Sequence, residues 1–191
     1  MFNIKLKASL IHLALSAVLI SAIISLIIIF WFPSPFLGVT DFKEIATILI
    51  VIDLILGPIL TFVVFNPSKK SLKLDLGVIV SIQVMALSYG LYMLYLTHPV
   101  YITYHENSFN MITAKQAKPE VAKFDEFNIS KLSSPVFAYL DTKDDATKNK
   151  LFNDMLDGNV EIEARTDFYK PYKIQKIKKR AKWLAFLFSE F

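Results

Sequence analysis

Ile45-Ala-Thr-Ile-Leu-Ile-Val-Ile-Asp53-Leu-Ile-Leu-Gly57-Pro58-Ile-Leu-Thr61-Phe-Val-Val-Phe65 is twenty-one residues with a single charged side chain. A run of that length and polarity predicts a membrane-spanning helix, and it decides the class of the whole chain. Two companions flank it. Leu10 to Phe32 is twenty-three residues, which at about 1.5 Å each cover a hydrocarbon core of about 30 Å. Leu76 to Leu96 is the third candidate span. Composition agrees: apolar residues make up 54 % of the 191-residue chain and charged residues 20 %, against roughly 45–50 % and 25 % in a soluble protein. A wholly soluble enzyme and a disordered chain are both excluded on that ground. The chain has no cysteine, so disulfides, thiolate metal sites and cysteine nucleophiles fall away together.

The first span follows Lys5 and Lys7, as a signal peptide would, and Pro33 and Pro35 end it. Its apolar run exceeds the usual 7–15-residue signal core and no small-x-small cleavage site closes it, so an uncleaved helix is expected. Asn66 to Asp75 is a loop of ten residues, so the second and third spans should form an antiparallel hairpin. Lys5, Lys7, Lys69, Lys70 and Lys73 lie at one end of the bundle, and Lys43 lies alone at the other. The positive-inside bias then places the N-terminus and second loop in the cytoplasm, with everything after Leu96 outside. Residues 1–96 are read as a three-helix transmembrane domain. Ala17, Ser21 and Ser25, Gly77 with Ser81, and Ala86 with Gly90 recur every four residues, a spacing that lets membrane helices approach closely.

Asp53 is the exceptional residue. A carboxylate in mid-span costs roughly 2.5–3.5 kcal/mol on insertion scales. Gly57 and Thr61 follow at four-residue steps on the same helical face. Pro58 lacks a backbone donor and crowds the Leu54 carbonyl, opening the helix one turn beyond the carboxylate. Gln83 is a second polar group at membrane depth. Two readings stand side by side: Asp53 locks helix register inside the bundle through a partner such as Gln83, or it meets a positive or donor group on a partner helix.

Residues 97–191 are enough for one small domain. Val100 to Tyr104 and Phe109 to Ala114 read as a hairpin turning at Glu106-Asn-Ser108, and Val136 to Leu140 as a buried strand. Lys115 to Ser134 reads as loop. A helix is expected from Thr142 to Asp157, capped by Asp141 or Thr142 and stopped by Gly158, with Leu151, Phe152, Met155 and Leu156 as its buried stripe. Val160, Ile162 and Ala164 alternate with Glu161, Glu163 and Arg165, predicting a further strand. The sum is a small α+β domain with an antiparallel sheet. The tail then carries Lys173, Lys176, Lys178, Lys179, Arg180 and Lys182, with no acid from Lys173 to Lys182. Ile174, Ile177, Ala181 and Leu184 recur at helical spacing among them. Such a helix fits anionic membrane lipid, an acidic partner, or an ordinary solvated face. Nucleic-acid binding does not suit a domain outside the cytoplasm. The chain stops at Ser189-Glu-Phe191 without a closing element, as a shortened chain would.

The chain holds few of the arrangements that carry chemistry. His12, His98 and His105 form no metal-binding spacing, and five glycines supply no phosphate loop or dinucleotide fingerprint. No nucleophile elbow accompanies the serines. Asp75, the other acid near a span, sits at the membrane edge rather than beside Asp53. No catalytic residue, metal or cofactor is expected, and the chain is read as a non-enzyme.

Asp53-x3-Gly57-Pro58, Thr61-Phe62, Asn66-Pro67, Lys70-Ser-Leu-Lys-Leu-Asp75-Leu76, Gln83, Ala86-Leu87, Tyr89-Gly90 and Pro99-Val100-Tyr101 together resemble the TfpX/TfpZ family of type IV pilin accessory proteins, which is related to FimB. The likeness extends more weakly through Ser134-Pro-Val-Phe and Phe168-Tyr-Lys-Pro-Tyr172, and it departs at Thr97-His98-Pro99, where an arginine is expected before the proline. The resemblance implies a bacterial inner-membrane protein with its C-terminal domain in the periplasm, supporting the assembly of a type IV pilin, the major subunit. On that basis the expected partner contacts are Asp53, Gly57, Pro58, Thr61, Gln83 and Gly90, with Asp53 attracting the amino terminus of the mature pilin. A membrane sensor signalling through Asn66 to Asp75, or a small transporter component using Asp53 as an ion site, are the rival readings.

Overall fold

The computed structural model describes residues 2–171 except 35, 39, 106–107, 131, 133–134, 141, 143–144 and 157–161. The chain divides into two compact units, Met1–Ile29 with Asp41–Leu94 and Phe30–Thr40 with Tyr95–Phe191.

The first unit holds three helices long and apolar enough to cross a membrane: α1 (Phe2–Phe30), α2 (Phe42–Val64) and α3 (Leu72–Thr97, whose last turn belongs to the second unit). Their burial is the reverse of a soluble bundle. Leu15, Val18, Ile29, Val63 and Met85 stand exposed, while Asp53 and Thr61 are buried. Helices that are apolar all round, with polar groups turned inward, fit lipid as their solvent. The small-residue stripes divide. Gly90 is buried, and a β-carbon there would stand 2.7 Å from Leu49 Cγ, so α2 and α3 meet closely at that level. Ser21, Ser25, Gly77 and Ser81 are exposed instead. The expectation that they pack this bundle is corrected, because the inward faces are set by Ser9, His12, Asp53, Thr61 and Gln83 and by Ile20, Ile27 and Ile79. Ser25 satisfies its hydroxyl by donating to the Ser21 carbonyl at 2.7 Å, a bond that needs no neighbouring helix.

The second unit is built on a four-stranded sheet of order β2-β1-β3-β4. β1 (Pro99–His105) pairs antiparallel with β2 (Ser108–Thr113), closing at His105 opposite Ser108. β1 runs parallel to β3 (Val136–Leu140), with Tyr101 opposite Val136 and Tyr104 opposite Tyr139. β4 (Tyr169–Pro171) pairs antiparallel with β3. The sheet is therefore mixed, not antiparallel. β2 already returns the chain to the starting end of β1, with Thr113 opposite Pro99, so the connection from β2 to β3 has only to cross β1 to set β3 parallel on its other side. It does so through short 3-10 turns at Pro119–Val121 and Asp125–Phe127.

Three rings make the centre of this unit. Tyr101, Phe127 and Tyr169 are fully buried. Tyr169 meets Tyr101 edge-on at 5.2 Å and Phe127 at 5.5 Å between ring centroids, a favoured arrangement for aromatic pairs. Each phenol finds a backbone acceptor: Tyr101 donates to Phe127 O at 2.6 Å and Tyr169 to Glu163 O at 2.5 Å.

Two expectations fail around Tyr169. The strand predicted from Val160 to Arg165 is replaced by 3-10 turns at Ile162–Ala164 and Thr166–Phe168 across its described part. Local side-chain bonds favour the turns: Arg165 forks onto Asp167 with both contacts at 3.0 Å, and Thr166 Oγ1 donates to Lys118 O. The helix α4 is described over Asp145–Leu156, and Phe152 and Leu156 in its expected buried stripe are exposed.

Burial, with Tyr101 and Glu163 nearby, pushes the Tyr169 phenol well above the ordinary tyrosine value. The sign follows from linkage. The folded state keeps a proton that the unfolded state releases near pH 10, so stability is full below that pH and falls as pH rises beyond it. Thermal unfolding of the sheet domain should be level through neutral pH and decline above about pH 10. Tyr169→Phe should flatten that alkaline decline.

Candidate functional site

The site starts from Pro58. Having no N–H, it cannot bond the Leu54 carbonyl, and its ring crowds that group. α2 answers by widening into a π turn over Ile52–Leu56, with the Gly57 N–H bonded five residues back to Ile52 O. Turns of this kind bulge one residue out of the regular helix and recur at functional sites. Asp53 lies inside the wide turn, so the distortion falls at the carboxylate itself and not one turn beyond it.

Three helices then supply polar groups over about two turns of α2. Gln83 of α3 donates to Asp53 Oδ1 at 3.4 Å. His12 of α1 holds Thr61 through Nδ1 and Oγ1 at 2.7 Å, and Ser9 of α1 donates to Pro58 O at 2.8 Å. Gly57 is buried where they converge: a β-carbon there would fall on the Gln83 amide and stand 3.0 Å from His12 Nε2. The close approach permitted by Gly57 is thus made to this chain's own side chains. Gln83 is the intrabundle partner that the first of the two readings named for Asp53.

Beside this cluster runs a groove of about 570 Å³ between α1 and α3, with α2 at its base. Ile11, Leu15, Leu19, Val80, Val84 and Leu87 make its walls apolar, while Asp53, His12, Thr61 and Gln83 line it as well. Lys7 stands in its lining at the end where Lys5 Nζ reaches Val63 O at 3.2 Å. The arrangement can receive an elongated apolar body and offer it hydrogen-bonding groups at mid-span. Among the described residues no three His, Asp or Glu side chains gather where they could share a metal ion.

Of the expected contact residues, Asp53, Thr61 and Gln83 line the groove, Gly57 and Pro58 are buried outside its lining, and Gly90 packs on Leu49 away from it. Lys173, Lys176, Lys178, Lys179, Arg180 and Lys182 lie outside the described residues. Sequence reasoning passed over His12 and Ser9. Their signal was present: Ser9, His12 and Ser16 share one face of an otherwise apolar helix at three- and four-residue spacing.

No family model and no solved structure matches the chain. Three curated relatives do, all from Dichelobacter nodosus. The fimbrial assembly protein of serogroup E1 is 30 % identical over 196 residues, covering 96 % of this chain and 74 % of the relative. That of serogroups C1 and C2 is 32 % identical over 109 residues, covering 56 % of this chain and 83 % of the relative. The serogroup I protein is 30 % identical over 131 residues, covering 63 % and 51 %.

Proposed function

The chain belongs to the fimbrial assembly protein family and serves fimbrial biogenesis, and from that premise we propose that it escorts a type IV pilin, the major subunit, in the bacterial inner membrane before assembly. A pilin awaiting assembly carries a long apolar helix in the membrane and a globular head outside it. The groove between α1 and α3 receives the helix, and the sheet domain, on the periplasmic side by the lysine bias, touches the head. The N-terminus and the α2–α3 loop face the cytoplasm. The protein works by binding, as a chaperone, with no reaction of its own.

One observation carries this reading: an apolar groove at membrane depth with a buried carboxylate at its base. A bundle that needed only to hold itself together would close over Asp53 on every side.

Filling the groove tests it. Leu15 and Val84 line the groove yet are 68 % and 55 % exposed, so an indole at either position occupies the groove without entering the bundle. Leu15→Trp and Val84→Trp should each reduce pilin recovered on detergent co-purification by about fivefold or more, the loss expected when about 1 kcal/mol of binding is removed. Val18→Trp, equally exposed and outside the groove, should leave recovery unchanged. Full recovery in both rim variants, at normal abundance, would remove the groove from the mechanism.

A further inference from the structure

Asp53 sets a chemical condition on whatever fills the groove. The residue is 5 % exposed, and the bond its carboxylate accepts from Gln83 engages Oδ1, at a length beyond the usual N–H···O range. His12 has committed Nδ1 to Thr61. Asp53 nonetheless contributes to the groove lining, so part of the carboxylate faces the space the occupant takes. An occupant apolar throughout would seal that acceptor against hydrocarbon, and a buried acceptor without a donor is costly.

Depth narrows the condition further. Asp53 is eleven residues from Phe42 and eleven from Val64, the two ends of α2, so it lies about 16 Å from either end of the span. Along α1 the groove lining runs from Ile4 to Ile20, and along α3 from Leu76 to Leu87. It therefore opens from the end bearing Lys5, Lys7 and Lys69 and reaches past the level of His12. A partner whose chain begins at that membrane surface holds its terminal amine about 16 Å short of Asp53. For such a partner the group that answers Asp53 is a side chain within its span and not its amino terminus.

We propose that the groove selects a transmembrane helix carrying a hydrogen-bond donor or cationic side chain about eleven residues in from the lysine-bearing end of its apolar stretch, with Asp53 as the group that reads it. This rests on the reading of the groove as a helix-docking site and adds the chemistry and depth of the feature recognised.

Designed peptides separate the claim from pilin binding itself. The probes are leucine–alanine helices of about 24 residues in phosphatidylcholine vesicles, bearing lysine or glutamine about eleven residues from one end, lysine about four residues from that end, or neither. Energy transfer to the labelled full-length protein measures their affinity. The mid-span lysine and glutamine helices should bind at least about tenfold tighter than the plain helix, a difference of about 1.4 kcal/mol. The shallow lysine should give no advantage. Asp53→Leu should abolish the preference while still binding the plain helix, which also shows that the variant is folded. Equal affinity across the set, a preference that survives Asp53→Leu, or no peptide binding at all overturns the proposal. If pilin recovery still falls in the Leu15→Trp and Val84→Trp variants while the peptides bind equally, the docking groove stands and its donor selectivity does not.

Discussion

Gly57→Leu is expected to open the three-helix bundle and leave little folded protein in the membrane fraction. A β-carbon at residue 57 falls on the Gln83 amide nitrogen and stands 2.9 Å from Gln83 Cδ and 3.0 Å from His12 Nε2. The amide is the end of a flexible side chain and can swing aside, so Gly57→Ala loses chiefly the Gln83–Asp53 bond. Leucine brings three more carbons into the space of the His12 ring, which Thr61 holds at 2.7 Å. Overpacking costs about 1–3 kcal/mol, and each buried polar group left unpaired about 1–3 kcal/mol more. Against the marginal stability of a small fold, that sum is disabling. Abundance and thermal unfolding in detergent measure it. Gln83→Ala should partly rescue Gly57→Ala by vacating the contested space; strictly additive losses would show that the two side chains do not meet.

Tyr169→Ala should unfold the sheet domain while leaving the helices formed. The ring is buried between Tyr101 and Phe127, and truncating a buried aromatic costs about 3–5 kcal/mol. β4 has only three residues, so it has little else to hold it in the sheet. For a domain of this size the loss lowers the melting temperature by more than about 12 °C. Near-ultraviolet circular dichroism should lose its tyrosine signal. The far-ultraviolet helical signal should persist, because α1, α2 and most of α3 belong to the other compact unit. Tyr169→Phe keeps the ring and removes only the bond to Glu163 O, a loss of about 1 kcal/mol. Equal melting of wild type and Tyr169→Ala would refute the central place given to this ring.

The membrane helices were legible because their signal is compositional: length and absence of charge survive any detail of packing. Asp53 and Gln83 could be paired in advance because polar groups at membrane depth have few places to go. His12 could not be placed from its position alone, since a histidine early in an apolar run reads equally as a helix start. Its role depends on α1 lying against α2 at Thr61, a tertiary fact. In the sheet domain the strands with β-branched and aromatic runs were readable. The parallel pairing of β1 with β3 was not, because it is decided by where a long connection returns. The alternation around Ile162 and Ala164 misled because a period of two also fits turns in which one small side chain reaches the core. Tyr169, four residues beyond the predicted strand, is the true anchor there.

The thirty residues between Asp53 and Gln83 also impose an order on biosynthesis. When α2 leaves the ribosome its acid has no amide to meet, since the chain thirty residues on is still held in the ribosomal tunnel. Release of α2 alone into the bilayer would carry the full cost of an isolated carboxylate. The seven-residue connection, residues 65–71, lets the two helices partition sideways from the translocon as one hairpin, with the polar bond already closed. Lengthening that connection would therefore show first as degradation of newly made chains, before any effect on mature protein.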